Sequence, residues 1–430
     1  MRLKRFVLPI LTFITLTQCV PVSPTSSSPG MELLYEDINY VPEVQTVQLY
    51  PFQGKDSDIL QSPIVTLAQS GSLILRFDLL QENTEVLHAK IVHCNFDWTK
   101  SWLGDVEYLS AYNEFPINQF TYSVSTKVPY IHYELRVPKV KVTGNYLIYV
   151  YRNNDEGDLL LSRRFVVYKN DVGIEEEIGL STNVHLRGSH QQIQFKISHP
   201  KTLVMNPTED IRVVLRQNQR WDNAITKLKP NFFKEDMRVL EYNHFDGSNN
   251  FPGNNEFRFF DLRMLLSRGQ RIDKVIPGSI PTVNIDADMP RGSRPYAQNL
   301  DINGNYFIQN LDRGGGNIES EYIKTNFTLK ADQAYQGDIY LMGQLTQWRK
   351  EAYNKMQYNA ERKQYELQLL LKQGWYNYQY ESTLKEESQL LEGYYFPAEN
   401  NYEILVYYRL QGARYDQVIG YKSINYNRPN

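Results

Sequence analysis

The sequence has few of the features that mark the commoner functional classes. Only two of its 430 residues are cysteines, Cys19 and Cys94, which excludes a disulfide-rich framework. Its 46 basic and 49 acidic residues leave a net charge of −3 without a long basic run, so there is no electrostatic footprint for nucleic acid. GxSxG, HExxH, P-loop and GxGxxG motifs are all absent. These absences argue against an enzyme and against a nucleic-acid partner.

The histidines and cysteines do not form the pattern of a metal site. His93, Cys94 and Asp97 lie within five residues, but neighbouring side chains on a strand point to opposite faces. A zinc site needs about four ligands, usually in paired spacings such as CxxC or HxxxH, and neither spacing occurs. We therefore expect no metal and no cofactor.

Residues 301–305 (DINGN) resemble the start of a calcium-binding loop. The next residue is Tyr306, where such a loop needs glycine for its sharp turn, and the closing position holds Asp312 instead of glutamate. The sequence therefore favours an Asx-type turn between two strands.

Aromatic residues are abundant and indicate β structure. They make up 13% of the chain, with 32 Tyr and 19 Phe, and such residues suit a pleated, half-buried surface. Short alternating or apolar runs recur along the chain between Gly, Pro and Asn turns, without helical periodicity. The sequence predicts an all-β fold of multiple immunoglobulin-like antiparallel β-sandwich domains, with boundaries at 36–170, 171–319 and 320–430.

The N-terminus has the pattern of a secretory signal peptide. Arg2, Lys4 and Arg5 precede an apolar run at 6–16 that is too short for a permanent membrane span. We predict a signal peptide at 1–18.

Cys19 stands where a bacterial lipoprotein carries its lipid. The preceding residue, Gln18, departs from the usual small residue of a lipobox, so cleavage by ordinary signal peptidase is the alternative. Residues 19–35 are rich in Pro and Ser and predict a flexible tether.

The stretch 91–133 brings thiol, imidazole and carboxylate groups close together in sequence. Cys94 lies in a strand-like run, where a free cysteine is commonly a buried small hydrophobic residue. The alternative is a nucleophile, which would require a pocket joining Cys94 or His93 with His132 and a carboxylate.

Four tryptophans each stand beside polar residues near a predicted strand end: Trp98, Trp102, Trp221 and Trp348. Each could fill the end of a sandwich core. The alternative is an exposed surface for a partner or a sugar, and we expect at least one of the four at an interface.

Residues 337–381 resemble an early-set immunoglobulin module. They are similar to the glycogen-binding module of the AMP-activated kinase regulatory subunit through YLMG at 340–343, Trp348 and GWYNY at 374–378. This resemblance implies a fold, and it motivates the alternative function of a periplasmic or cell-surface carbohydrate-binding lipoprotein.

Most of the chain resembles the plug proteins of the type IX secretion system of Bacteroidota. The matching segments are HCNFDW at 93–98, YNEF at 112–115, HYEL at 132–135, GNYLIYVY at 144–151, QNQRWDNA at 217–224, NEFRFFD at 255–261, LDINGNY at 300–306, LKQGWYNYQYE at 371–381 and YYRLQGARYDQVIGY at 407–421.

The resemblance implies a non-enzymatic periplasmic plug. Such a protein binds the periplasmic opening of the large outer-membrane β-barrel translocon and seals it when no substrate is engaged. A lipid on Cys19 would anchor it to the inner leaflet of the outer membrane.

The surface that contacts the translocon is expected on two long loops, at residues 98–119 and 286–316, because a stiff sandwich presents functional residues on its loops. The candidate interface residues are Trp98, Trp102, Asn113, Glu114, Arg291, Arg294 and Arg313. The alternative for the three arginines is solvated loop charge.

Overall fold

The computed structural model describes residues 31–199, 204, 206–314 and 316–428. The expected signal peptide, Cys19 and most of the expected tether lie outside these residues. The described chain is mostly β-strand, which confirms the predicted all-β fold of several sandwiches. Its α-helices are α1 (Asp105–Tyr108), α2 (Pro207–Asp210) and α3 (Lys385–Glu392). Its 3-10 turns are Asp56–Leu60, Leu67–Ser72, Val184–Leu186, Gln344–Thr346 and Ala352–Asn354.

The first sandwich contains ten strands. They are β1 (Ile38–Asn39), β2 (Val44–Pro51), β3 (Ile64–Thr66), β4 (Leu73–Leu79), β5 (Leu87–Cys94), β6 (Phe115–Pro116), β7 (Gln119–Tyr122), β8 (Ile131–Arg136), β9 (Gly144–Arg152) and β10 (Asp155–Tyr168). One sheet has the order β1-β10-β9-β5-β6, with β3 parallel to β10. The other has the order β2-β4-β8-β7, so β7 is an edge strand.

Strand β9 is buried on both faces because its sheet lies between two cores. Tyr146 and Ile148 point into the core of the first sandwich. Leu147 and Tyr149 point the other way, into a second cluster that includes Leu405 from the C-terminal region. A strand with two buried faces reads as a continuous apolar run, as GNYLIYVY does.

The second sandwich is built from two separate stretches of chain. The first stretch supplies β11 (Gly173–Leu180), β12 (His190–Ser198), β13 (Ile211–Gln217), β14 (Phe232–Lys234), β15 (Val239–Tyr242) and β16 (Asn250–Pro252).

The inserted stretch between them forms a third unit. Its strands are β17 (Arg258–Asp261), β18 (Ile272–Ile276), β19 (Thr282–Ile285), β20 (Tyr306–Ile308), β21 (Tyr322–Lys330), β22 (Ile339–Met342), β23 (Gln357–Asn359), β24 (Gln364–Lys372) and β25 (Gly374–Ser382). One sheet has the order β17-β25-β20, with β22 also on β25, and the other has the order β18-β19-β21-β24-β23.

The chain then returns to the second sandwich with β26 (Asn400–Tyr408) and β27 (Gln417–Tyr426). Its sheets are β11-β12-β15-β14, with β16 on β12, and β13-β26-β27. Ile211 pairs with Tyr408 and Gln217 with Tyr402, across the boundary expected between residues 319 and 320. We propose that the C-terminal strands complete the second sandwich and that the third unit is inserted into it. The sequence analysis expected β26 and β27 in the domain 320–430, because the alternation of apolar and polar residues in a strand does not tell which strand it pairs with.

Candidate functional site

The loop between β5 and β6, residues 95–114, is braced against β5 by buried polar side chains. The Asn113 amide accepts a hydrogen bond from the Ile91 backbone N–H (2.9 Å) and donates to the Ile91 carbonyl (2.8 Å). The Tyr108 hydroxyl oxygen lies 2.9 Å from the same carbonyl oxygen. The Asp105 carboxylate accepts from Tyr108 (2.5 Å) and from Asn113 (3.0 Å). This closed network holds the braced loop in one conformation.

The braced loop presents large apolar side chains to solvent. Trp102 is 80% exposed, and Val106 and Tyr112 are each 79% exposed. Arg414 supports the loop from the C-terminal region by donating to the Trp102 carbonyl (3.3 Å) and pairing with Glu107. Three large apolar side chains exposed on one rigid loop make this loop a candidate interaction surface.

Edge strand β7 follows the braced loop and carries further exposed aromatic rings. Phe120 and Tyr122 are about half exposed and contact each other edge to face, with centroids 5.9 Å apart. β7 pairs only with β8 among the described strands, so its outer backbone edge is open.

Two of the predicted loop residues have internal roles. Asn113 is buried in the bracing network, and the Glu114 carboxylate accepts a hydrogen bond from the Tyr151 hydroxyl (2.7 Å). The sequence analysis chose these two polar residues as interface candidates and overlooked Val106 and Tyr112. Tyr112 is the first residue of the segment YNEF at 112–115, which that analysis had already noted. The exposed Tyr112 directly before the buried Asn113 was the available signal.

Trp98 is buried at the wall of a cleft that opens to solvent. The cleft measures about 580 Å³ and is lined by residues of both sandwiches and of the third unit. Trp98 is 8% exposed, its ring contacts Trp221 edge to face at 4.8 Å, and Arg164 stacks 4.4 Å from its centroid. Trp98 therefore packs between units and is not on the outer surface.

Side chains also cover one ring face of Trp221, Trp348 and Trp375. Arg216 lies 4.0 Å from the ring centroid of Trp221, and Arg220 lies 4.2 Å from that of Trp348. Trp375 stacks on Phe259 with centroids 4.7 Å apart and an interplanar angle of 8°. A sugar ring needs an open aromatic face, and these contacts occupy one face of each ring.

A buried ionic network joins the first sandwich to the third unit. Asp78 of β4 is 0% exposed and accepts hydrogen bonds from Lys372 Nζ (2.6 Å) and the Tyr322 hydroxyl (2.7 Å). His132 Nδ1 lies 2.6 Å from its other oxygen. Burial alone would raise the pKa of Asp78, but Lys372 and His132 hold it below the usual value. Asp78 is therefore ionised, and its charge is paired across the junction.

Cys94 does not have the environment of a nucleophile. Its side chain is 0% exposed among apolar residues, and burial raises its pKa to about 12. Burial lowers the pKa of the neighbouring His93 to about 4, and this ring contacts Ser101 Oγ (2.9 Å). His132 and its partner Asp78 lie on neighbouring strands of the other sheet, away from Cys94. The thiol stays protonated at neutral pH, as expected of a small core residue.

The three predicted arginines have different surroundings. Arg291 pairs with Glu392 (2.6 Å), and Arg313 donates to the Ser125 carbonyl (3.0 Å), so both support contacts within the chain. Arg294 is exposed, and its guanidinium forms no hydrogen bond or ion pair within the described ranges. Arg294 is therefore the one of the three whose guanidinium has no hydrogen bond or ion pair among the described residues to give up on binding a partner.

The first sandwich matches a known protein family. Residues 44–169 match the family described as "Type 9 secretion system plug protein 1st domain". This segment belongs to the type IX secretion system plug family. A solved structure of a hypothetical protein from Parabacteroides merdae is also similar, with 30% sequence identity and a TM-score of 0.85. The alignment covers 92% of this chain and 100% of that one. No curated protein matches the chain.

Membership in the plug family gives the chain a role in type IX secretion and favours a periplasmic location. The matched segment contains the whole braced loop and β7. The predicted likeness of 337–381 to a glycogen-binding module stays a prediction. Among the described residues, no helix is long and apolar enough to cross a membrane.

Proposed function

We propose that this protein is a non-enzymatic periplasmic plug that binds and seals the periplasmic opening of the type IX outer-membrane translocon barrel when no substrate is engaged. The observation that carries the proposal is the braced loop, which presents Trp102, Val106 and Tyr112 on a fixed support. Large aromatic anchors on preorganised surfaces dominate protein–protein binding energy.

A steric seal also needs a body that does not deform under load. The Asp78–Lys372 pair is fully buried and joins the first sandwich to the third unit. The Tyr407 hydroxyl donates to Asn145 (2.9 Å), and Arg409 donates to Asn95 (2.9 Å), which joins the first sandwich to the second. These contacts support a role in which the units act as one block.

The remaining parts of the proposal concern attachment and the competing function. A lipid on Cys19 would hold the plug at the inner leaflet of the outer membrane, beside the barrel opening. Carbohydrate binding is less favoured, because Trp98 and Trp348 are buried and one ring face of Trp221 and of Trp375 is covered by arginine or phenylalanine.

The proposal is tested by the double variant Trp102→Ala/Tyr112→Ala in cells. Removing one aromatic anchor costs about 2 kcal/mol or more, roughly thirtyfold in affinity. We expect recovery of the barrel with affinity-tagged protein to fall at least tenfold, and entry of a large antibiotic such as vancomycin to rise toward the level of a deletion strain.

The matched control is Phe245→Ala, which removes a 71% exposed aromatic ring from the second sandwich. It should leave both measurements unchanged. Deletion of the gene without any increase in permeability contradicts sealing. Normal barrel recovery by the double variant contradicts the choice of the braced loop.

A further inference from the structure

Three carboxylates from distant parts of the sequence meet where the chain passes between the second sandwich and the third unit. Glu256 lies on the outgoing connection before β17, and Glu399 lies on the returning connection before β26. Asp301 belongs to the loop before β20. One oxygen of each carboxylate lies within 4.8 Å of the others. Glu256 is 1% exposed and Glu399 is 6% exposed.

Two buried oxygens at this point have no donor. Glu256 Oε1 accepts from the Tyr296 hydroxyl and from the Glu399 backbone N–H (3.1 Å), whereas Glu256 Oε2 has no partner among the described residues. Asn303 donates through Nδ2 to Glu399 (3.0 Å), which leaves its buried Oδ1 without a partner in the same part of the chain. Buried acceptors without a donor are costly unless a cation or a proton completes them.

The surrounding protein gives the cluster no direct ion pair among the described residues, and Arg291 and Arg428 act on Glu256 and Glu399 only from a distance. Within the described ranges no Lys, Arg or His forms an ion pair with Glu256, Asp301 or Glu399. The guanidinium of Arg291 is close, but it bonds Glu392 (2.6 Å) and the backbone carbonyl of Glu256 (2.6 Å). Three like charges at this spacing need a counter-charge.

We propose that Glu256, Asp301, Glu399 and Asn303 form a calcium site. The donor set consists only of oxygen atoms, which suits a hard cation and not zinc or copper. Calcium takes six to eight oxygen ligands, so water would complete the shell. The ion would tie both connections of the inserted unit to the 301–305 turn. This site goes beyond the proposed sealing function and does not depend on it.

The sequence resemblance of 301–305 to a calcium loop is explained differently by the structure. The Asn303 backbone N–H donates to Asp301 Oδ1 (2.8 Å), which is the expected Asx-type turn. The remaining ligands come from Glu256 and Glu399, which no local sequence pattern connects with this turn.

The test is isothermal titration calorimetry of CaCl2 into the purified, chelator-treated protein. We expect one calcium per chain and at least about tenfold weaker binding for Glu256→Gln, which removes the free oxygen and keeps the acceptor for Tyr296. Asp301→Asn serves as a second variant. The matched control is Asp332→Asn, because the Asp332 side chain is 95% exposed and has a single pairing to Lys363 at 3.8 Å. This control should bind calcium like the wild type.

Thermal unfolding gives a second measurement that separates ion binding from damage to the fold. Excess calcium should raise the Tm of the wild type by several degrees and leave that of Glu256→Gln unchanged. In chelator, Glu256→Gln should melt no lower than the wild type, because it removes one of three like charges. The proposal is overturned by the absence of 1:1 calcium binding, by wild-type affinity in both cluster variants, or by magnesium binding as tightly as calcium.

Discussion

Replacing Lys372 by methionine tests whether the buried network holds the first sandwich and the third unit together. The ammonium group is 0% exposed and lies 2.6 Å from Asp78 Oδ2. It also lies 4.1 Å from the ring centroid of Tyr130, whose hydroxyl donates to the Asn317 carbonyl (2.7 Å). The variant removes the cation and keeps a side chain of similar length.

The expected loss follows from the charge left behind. Removing one partner of a buried ion pair costs about 3–5 kcal/mol, because the other charge stays desolvated. His132 and Tyr322 still bond Asp78, so we expect the lower part of that range, about 3 kcal/mol. Domain stabilities of roughly 5–15 kcal/mol make this a large fraction. In Asp78→Asn/Lys372→Met the buried charge is gone, so most of the stability should return.

The assay is urea unfolding at pH 7, followed by tryptophan fluorescence. The matched control is Lys355→Met, which breaks an exposed pair with Asp338 (2.7 Å) and should leave the midpoint almost unchanged. Equal midpoints for Lys372→Met and Lys355→Met would refute the reasoning. So would a double variant that is no more stable than Lys372→Met.

The same network predicts a pH dependence with a defined sign. The folded-state pKa of Asp78 is lower than the usual value, so its stabilisation is present above the unfolded-state pKa of about 3.9 and is lost as the pH falls through the folded-state value. Wild type should therefore lose more stability between pH 5 and pH 3 than the double variant does. Parallel losses in both proteins would remove Asp78 as the source.

Two further predictions concern the stretch around β5. Asn113→Ala removes both side-chain bonds to Ile91, so we expect a loss of about 1–3 kcal/mol in urea unfolding and weaker barrel recovery although Trp102 is unchanged. Asn359→Ala, at the half-buried end of β23 in the third unit, also removes local side-chain bonds and is its control, because it should leave barrel recovery unchanged. Normal recovery by Asn113→Ala would contradict bracing. Cys94 should resist a thiol reagent at pH 8 in the native protein and react fully in urea, because burial raises its pKa to about 12. Rapid native labelling would contradict this environment.

The sequence predicted the fold class well because period-2 alternation and turn residues are local signals. Local signals could not place the domain boundary expected near residue 320. The apolar and polar residues of β26 alternate as in any strand, and its partner β13 lies about two hundred residues earlier in the chain. Strand alternation correctly separated His93 from Cys94. The ion pair between Asp78 and Lys372 could not be predicted from the sequence. A charged residue is expected to be buried only when an opposite charge lies beside it, and these two residues are far apart in the chain.

Trp98 and Trp102 show that the sequence neighbours of a tryptophan do not tell whether its ring is buried or exposed. Both stand in one polar–aromatic segment, yet Trp98 is stacked under Arg164 and Trp102 is 80% exposed. Ordering a flexible side chain on binding costs roughly 0.5–1.5 kcal/mol, and ordering its loop costs more. The bonds of Asn113 and Tyr108 to Ile91 fix that loop before any partner arrives. The proposed reversible seal would benefit from this arrangement, because exposed anchors on a fixed loop lose little entropy when they bind.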